Sequence, residues 1–90
     1  MAVYMTSPIY EILEVNRVTR TDYAKNLKVG DRFKLVMDYS YNRYDNRISS
    51  SEVHVYQILE SDVKYLGSSS QNHVIKMVDG YDPIFKVKEI

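Results

Sequence analysis

One stretch of the chain, residues 32–41, alternates apolar and polar side chains too regularly for a helix. Only Val36 breaks the polar series. The apolar series consists of Phe33, Leu35, Met37, Tyr39 and Tyr41. Successive side chains of an extended chain point to opposite faces, so this period of two predicts a strand with one buried face and one face in water. Gly30-Asp31 just before it predicts a sharp turn into the strand.

Two further segments predict strands. Residues 9–20 are rich in β-branched side chains, and a slip of their alternation near Asn16-Arg17 predicts a bulge, although Ser7-Pro8 would also suit a helix start. Residues 52–66 are predicted as a strand through Leu59, a turn, and a short strand from Val63. Helical spacing of the larger apolar residues in this segment keeps a helix open as the alternative. Those residues are Tyr56, Leu59, Val63 and Leu66.

The sequence at the end of the chain predicts a β-hairpin. Residues 74–78 and 81–90 flank Asp79-Gly80, a dipeptide favoured in type I′ turns, and Pro83 places the last strand at a sheet edge. Polar residues predict loops at 67–72 and at 42–51, the latter long and mobile. Residues 21–27 have room for one or two helical turns.

These elements predict a mainly β fold. We expect five or six strands in a small bent sheet or barrel, OB-like or SH3-like, with at most one short helix. The Leu-x-Val-Gly-Asp sequence at 27–31, leading into an alternating strand, resembles a turn common in such barrels. The alternative is an α+β fold with a helix in 52–66.

Ninety residues suit one domain, predicted as 7–90 behind a flexible N-terminal tail at 1–6. The predicted inward-facing residues are Phe33, Leu35, Met37, Val15, Val55, Ile75, Phe85 and Val87.

Charge and cysteine content narrow the class of protein. Twelve basic and twelve acidic residues cancel, so the chain has no overall field that attracts nucleic acid or an anionic membrane. The absence of cysteine suits a reducing compartment, and no signal peptide or membrane span is recognisable, so we expect a cytoplasmic protein.

Although the charges of the whole chain cancel, basic residues concentrate in one region. This predicted basic patch comprises Arg17, Arg20, Lys28, Arg32 and Lys34.

Motifs for catalysis and cofactor binding are missing from the sequence. His54 and His73 lack metal-site spacing, the serines lack a nucleophile elbow, and the three glycines stand alone. We therefore expect no enzyme, no metal and no cofactor.

The predicted interaction surface lies where the alternating strand runs into the long loop. Its residues are Tyr39, Tyr41, Arg43, Tyr44 and Arg47. Tyrosine interleaved with arginine is typical of protein interfaces and of single-stranded nucleic-acid binders, whereas Tyr39 and Tyr41 could also simply end a core face. The acidic neighbours Asp38 and Asp45 cancel the charge of this loop and favour a protein partner.

The expected function is accordingly a non-enzymatic protein-interaction module. Nine tyrosines without tryptophan, with many Asn, Lys and Ile, fit the residue usage of an AT-rich genome, which suggests a regulator or inhibitor of a host protein encoded by a phage or mobile element. A single-stranded nucleic-acid-binding barrel is the alternative, and self-association stays open.

Overall fold

The computed structural model describes the backbone of residues 2–41, 48–80 and 82–90, and it leaves out the side chains of 2–5, 39–41 and 48–51. Six strands and one short helical segment make up the described fold. The strands are β1 (Ala2–Thr6), β2 (Tyr10–Val15), β3 (Arg32–Tyr41), β4 (Ile48–Ile58), β5 (Val63–Ser70) and β6 (Phe85–Glu89). The helical segment, residues 71–77, consists of α1 (Gln71–Val74) and a 3₁₀ turn (Ile75–Met77).

All six strands belong to one antiparallel sheet. The strand order is β5-β4-β3-β2-β6, and β1 also pairs with β3. Two strands share the same side of β3, because β2 pairs with its first two residues, whereas β1 pairs with its second half from Val36 to Ser40. The sheet is not closed. The predicted mainly β fold with one short helix is therefore confirmed as an open sheet, not a barrel.

Strand β3 has the two faces that its alternation predicts. Phe33 and Leu35 are buried, and Met37 packs against the buried cluster. The Phe33 ring lies between two aromatic neighbours, with centroids 5.6 Å from Tyr10 and 6.2 Å from Phe85. We call this face the inner face of the sheet and the opposite one the outer face.

The helical segment and the turn at 21–27 supply buried side chains to the same core. Val74 and Met77 are completely buried, because a spacing of three places both on one side of the helical segment. The turn is closed by the Lys25 amide, which donates to the Thr21 carbonyl at 2.8 Å. The buried cluster contains Ile12, Tyr23, Ala24, Leu27, Phe33, Leu35, Val53, Val55, Val74, Met77, Ile84 and Phe85.

For two residues, Val15 and Ile75, the prediction of a buried side chain is wrong. Val15 is 40% exposed, because it ends β2 beyond a register shift between Ile12 and Glu14. The bulge predicted near Asn16-Arg17 is therefore wrong in position, because β2 ends at Val15 and its register shift lies before that residue. Ile75 is only half-buried, since its neighbours in the helical segment, not Ile75 itself, point into the core. The other predicted positions are buried or pack against the cluster.

The predicted C-terminal hairpin is also wrong. Residues 74–78 are largely helical, and the Asp79 amide donates to the Ile75 carbonyl at 2.9 Å. Gly80 does have a positive φ of 101°, but it ends a helical segment instead of joining two strands. Strand β6 pairs with β2 and, as predicted, lies at an edge of the sheet.

Three segment boundaries need correction. Residues 2–6 of the predicted tail form β1, since β3 is long enough to pair with β1 beyond the end of β2. Residues 48–51 of the predicted long loop belong to β4, while 42–47 lie outside the described residues. Residues 67–70 extend β5 instead of forming a loop. The alternative helix in 52–66 is wrong, because β4 and β5 account for most of that segment and pair with each other.

Candidate functional site

The outer face of the sheet carries polar and aromatic side chains where the inner face carries the core. Lys34, His54 and Tyr56 alternate with buried neighbours on β3 and β4 and therefore point outward. None of the described side chains on β3 and β4 that point outward is fully buried. The outward side chains of β3 and β4 are thus at least partly accessible over the described part of the chain.

Three rings form an aromatic cluster at the centre of this face: His54, Tyr56 and Tyr65. Tyr65 is half exposed, and its ring centroid lies 5.2 Å from that of Tyr56 and 5.9 Å from that of His54. His54 Nδ1 and the Tyr65 hydroxyl are 3.1 Å apart and share a hydrogen bond. Tilted ring pairs at these distances attract each other, so the cluster is pre-organised on the surface.

The register between β4 and β5 brings the cluster together. Tyr56 lies directly opposite Tyr65, whereas a register shift separates this pair from the pair Val55 and Gly67. Gly67 has a φ of 151°, and a Cβ built on it would lie 3.4 Å from Tyr23 Cβ on the inner face. A glycine at this position therefore lets β5 bulge and still place the Tyr65 ring against Tyr56.

Cations border the aromatic cluster on the β3 side. Lys34 lies opposite Tyr56, with its Nζ 6.0 Å from the ring centroid, within reach of a cation–π attraction. Farther along, Glu11 Oε1 contacts Arg32 Nε at 3.4 Å and Glu11 Oε2 contacts Lys88 Nζ at 3.1 Å. The Lys88 hydrogen bond, supported by the charges of Lys88 and Arg32, lowers the pKa of Glu11. Arg32 and Lys88 therefore already share a counter-charge.

Carboxylates occupy the other end of the outer face. Asp38 and Glu52 lie directly opposite each other on β3 and β4, and the Ser68 hydroxyl donates to Glu52 Oε1 at 2.6 Å. Like charges across a strand pair repel. The outer face thus runs from a basic end, through aromatic rings, to an acidic end.

An apolar side chain extends the surface toward the sheet edge. Val63 is 45% exposed and stands two residues before Tyr65 on β5, so both side chains lie on the same face. Strand β5 ends the strand order, so one side of its backbone faces away from the sheet. A ligand on the outer face can therefore also reach apolar groups and an unpaired strand edge.

The predicted interaction surface falls largely outside what the structure describes. Tyr39 and Tyr41 lie in β3, where only their backbone is described. Arg43, Tyr44 and Arg47 lie outside the described residues.

The predicted basic patch is not one group of side chains. Arg32 contacts Glu11, Lys34 faces Tyr56, and Lys28 stands exposed in the turn before β3. Arg17 and Arg20 line a separate cavity, because β2 pairs with β3 only at Tyr10 and Glu11 and then runs past the start of that strand.

The sequence alone reveals only part of the aromatic cluster. Val53, His54, Val55 and Tyr56 alternate, which does predict an outward Tyr56. The partner ring, Tyr65, depends on the bulge at Gly67, which alternation alone does not reveal.

Within residues 2–41, 48–80 and 82–90, no group of three or more His, Asp or Glu side chains is placed to hold a metal ion, and no helix is long and apolar enough to cross a bilayer. No protein-family model, no curated protein and no solved structure matches the chain.

Proposed function

We propose that this chain is a non-enzymatic interaction module that binds a protein partner through the outer face of its sheet. The observation that carries the proposal is the aromatic cluster of His54, Tyr56 and Tyr65, in which Tyr65 is 51% exposed and the other two rings are half-buried on the sheet. Tyrosines held in this way expose a large apolar area and a polar hydroxyl at little cost in side-chain entropy, and such residues dominate binding energy at protein interfaces.

The surroundings of the cluster fit the anatomy of a protein interface. Apolar area at Val63, two residues before Tyr65, adjoins the rings, and charged groups of both signs lie around them. We expect a partner that packs an apolar side chain on Tyr65, presents a carboxylate to Lys34, and presents a basic group to Asp38 and Glu52. Mixed charge of this kind gives specificity and fixes orientation more than it adds affinity.

The charge distribution favours a protein over a nucleic acid. Arg32 and Lys88 are already paired with Glu11, and Asp38 and Glu52 would repel phosphates at the other end of the face. The chain as a whole has no net charge to attract a polyanion. We also propose that a phage or mobile element encodes the chain, as its residue usage suggests, and that the chain regulates or inhibits a host protein. The absence of cysteine suits a reducing compartment such as the cytoplasm.

The proposal is tested by capture from a lysate of the source organism, with and without nuclease treatment. Wild type, Tyr65→Ala and the control Val29→Ala are immobilised in equal amounts, and retained proteins are quantified by mass spectrometry. Val29 is also exposed but lies in the turn before β3. We expect Tyr65→Ala to weaken retention of a specific protein by about 30-fold, since truncating an interface anchor costs ~2 kcal/mol.

Two results of the capture experiment would contradict the proposal. Equal retention by Tyr65→Ala and Val29→Ala would mean that the aromatic cluster does not bind. Retention that disappears after nuclease treatment would mean that the ligand is a nucleic acid. A second copy of the chain as the partner would be recognised by a sedimentation coefficient that rises with concentration in wild type and not in Tyr65→Ala.

Single-stranded nucleic acid is a second candidate, favoured by one observation. Two adjacent tyrosine rings on an open sheet with Lys34 beside them can stack bases and contact a phosphate. Fluorescence anisotropy with mixed-sequence oligonucleotides at low salt tests it. Sub-micromolar binding that Lys34→Ala or Tyr65→Ala abolishes, while Lys28→Ala retains it, would replace the protein proposal with this one.

A further inference from the structure

A cavity on the other side of the molecule collects basic side chains that the outer face does not use. It has a volume of about 330 Å³ and lies between residues 17–23 and the helical segment 71–77. Its lining includes the side chains of Arg17, Arg20, His73 and Lys76. This volume is at the lower end of the range for small-molecule sites, about 300–1,000 Å³.

The chain brings these cations together from two distant segments. Arg17 and Arg20 follow β2, while Lys76 belongs to the 3₁₀ turn that packs under the sheet through Met77. Backbone hydrogen bonds to Ile84 join the two segments. The Asn16 amide donates to the Ile84 carbonyl at 2.8 Å, and the Ile84 amide donates to the Lys76 carbonyl at 3.0 Å. Ile84 also lines the cavity and is buried. Three cations therefore surround one space on a fixed backbone.

Neutral hydrogen-bonding groups complete the lining. The hydroxyls of Thr19 and Thr21 are 2.8 Å apart and bond to each other, so at least one of them can also turn toward a ligand. His73 Nδ1 lies 2.8 Å from the Ser70 hydroxyl, and its Nε2 has no hydrogen-bond partner among the described residues. This imidazole can therefore offer a further donor to the same cavity.

Carboxylates near the cavity neutralise the positive charge of its lining only in part. Asp82 contacts Arg17 at 3.8 Å, but both side chains are largely exposed, and exposed pairs of this length contribute little. Asp22 pairs with Lys25 at 3.2 Å and not with a lining cation. Asp79 and Asp82 line an adjacent cavity, which shares Arg17 and Lys76 with this one. Among the described lining residues of the 330 Å³ cavity, none is acidic.

We infer that this cavity binds a small molecule that carries a terminal phosphate group. Two arginines and a lysine around one space match the double negative charge and the multiple acceptor oxygens of a phosphate monoester better than the single charge of one backbone diester. The apolar groups of Val18 and Ile84 in the lining can cover the organic part of such a ligand. The site is separate from the aromatic cluster of the outer face and does not depend on the proposed protein partner.

The inference is tested by ¹⁵N NMR titration at low ionic strength with inorganic phosphate and with ribose 5-phosphate. We expect saturable shifts of the amides of Thr19, Thr21 and His73. Arg20→Gln and Lys76→Gln should each weaken binding about tenfold, as expected for losing one charge-assisted hydrogen bond. Lys86→Gln, which removes an exposed lysine from β6, is the matched control and should bind as wild type does.

Three outcomes of the titration would contradict the binding of a small-molecule phosphate at this cavity. Shifts that rise linearly without saturation, or equal affinity in Lys76→Gln and Lys86→Gln, would overturn the inference. A single-stranded oligonucleotide of about ten nucleotides is titrated as well. If it binds more tightly than ribose 5-phosphate and Lys76→Gln abolishes this binding, the phosphate belongs to a nucleic-acid backbone. Preserved amide dispersion in each variant shows that the fold is intact, and Tyr65→Ala should leave phosphate binding unchanged.

Discussion

Phe33 is the residue on which the core depends most directly. It is completely buried on β3 and contacts the rings of Tyr10 and Phe85. Phe33→Ala should therefore lower the free energy of unfolding by about 3–5 kcal/mol, enough to unfold much of so small a protein. Lys34→Ala, the next residue on the same strand but on the outer face, should change it by less than about 1 kcal/mol. Equal shifts of the two urea midpoints would mean that the faces of β3 are assigned incorrectly.

Glu11 is the residue whose ionisation should respond most clearly to its neighbours. The Lys88 hydrogen bond lowers its pKa below the ordinary value of 4.5. Because the folded pKa is lower than the unfolded one, Glu11 stabilises the fold above pH 4.5, and this contribution is lost as the pH falls through the folded pKa. Carboxyl ¹³C NMR titration should show the pKa of Glu11 rising toward its ordinary value in Lys88→Met. No change in that variant would contradict the assigned contact.

At the scale of elements, the bulge in β5 links the core to the outer face. Gly67→Ala should destabilise the fold by about 1–3 kcal/mol, because residues with a side chain rarely adopt the φ of 151° that Gly67 has in this strand. Gly80→Ala is the control, since Gly80 also has a positive φ, of 101°, but lies in a turn outside the sheet. Urea unfolding should rank Gly67→Ala as the less stable variant. The reverse order would mean that the bulge does not require a glycine at position 67.

Strand β1 gives a second prediction at this scale. It pairs with β3 from Ala2 to Thr6, and Ser7 then continues the contact, with its amide donating to the Leu35 carbonyl at 2.8 Å and its hydroxyl accepting from the Leu35 amide at 2.9 Å. Deleting residues 1–6 should cost at least about 2 kcal/mol, at ~1 kcal/mol for each net hydrogen bond lost. It should also speed amide hydrogen exchange in 36–40. A flexible tail would leave both measurements unchanged.

Elements that depend on local pattern could be predicted, and those that depend on distant partners could not. Strand β3 was predictable because its alternation is set by its own residues. Residues 74–78 looked like a strand because they are mostly apolar and precede Asp79-Gly80, yet they are largely helical, with Val74 and Met77 covering the inner face. This is tertiary packing overriding local propensity. Similarly, the terminal strand β1 exists because β3 extends beyond β2, which no local pattern shows.

The candidate site was less predictable than the fold. Lys34 and Tyr56 lie on predicted strands, but their contact depends on the β3–β4 register, and Tyr65 joins them only through the bulge at Gly67. The residues of the predicted basic patch have different neighbours for the same reason, because charge density along the chain does not fix which strands pair. Arg17 and Arg20 instead share a cavity with Lys76, more than fifty residues away.

At the scale of the whole molecule, the fold separates its two candidate surfaces. The helical segment and the turn at 21–27 cover the inner face of the sheet, and the basic cavity lies beside them. The outer face is left with the aromatic cluster, and its charges of both signs agree with the zero net charge of the chain. One small sheet can therefore present a protein-binding surface on one side and a phosphate site on the other.

The most direct test of the outer face as a protein-binding surface is site-specific photo-cross-linking in an extract of the source organism. A photoreactive phenylalanine analogue is placed at position 65 or, as the control, at position 29, where Val29 is 59% exposed in the turn before β3. The account predicts a light-dependent protein adduct from position 65 that survives nuclease and is absent from position 29. Equal adducts from both positions, no adduct from position 65, or an adduct that nuclease removes would contradict it.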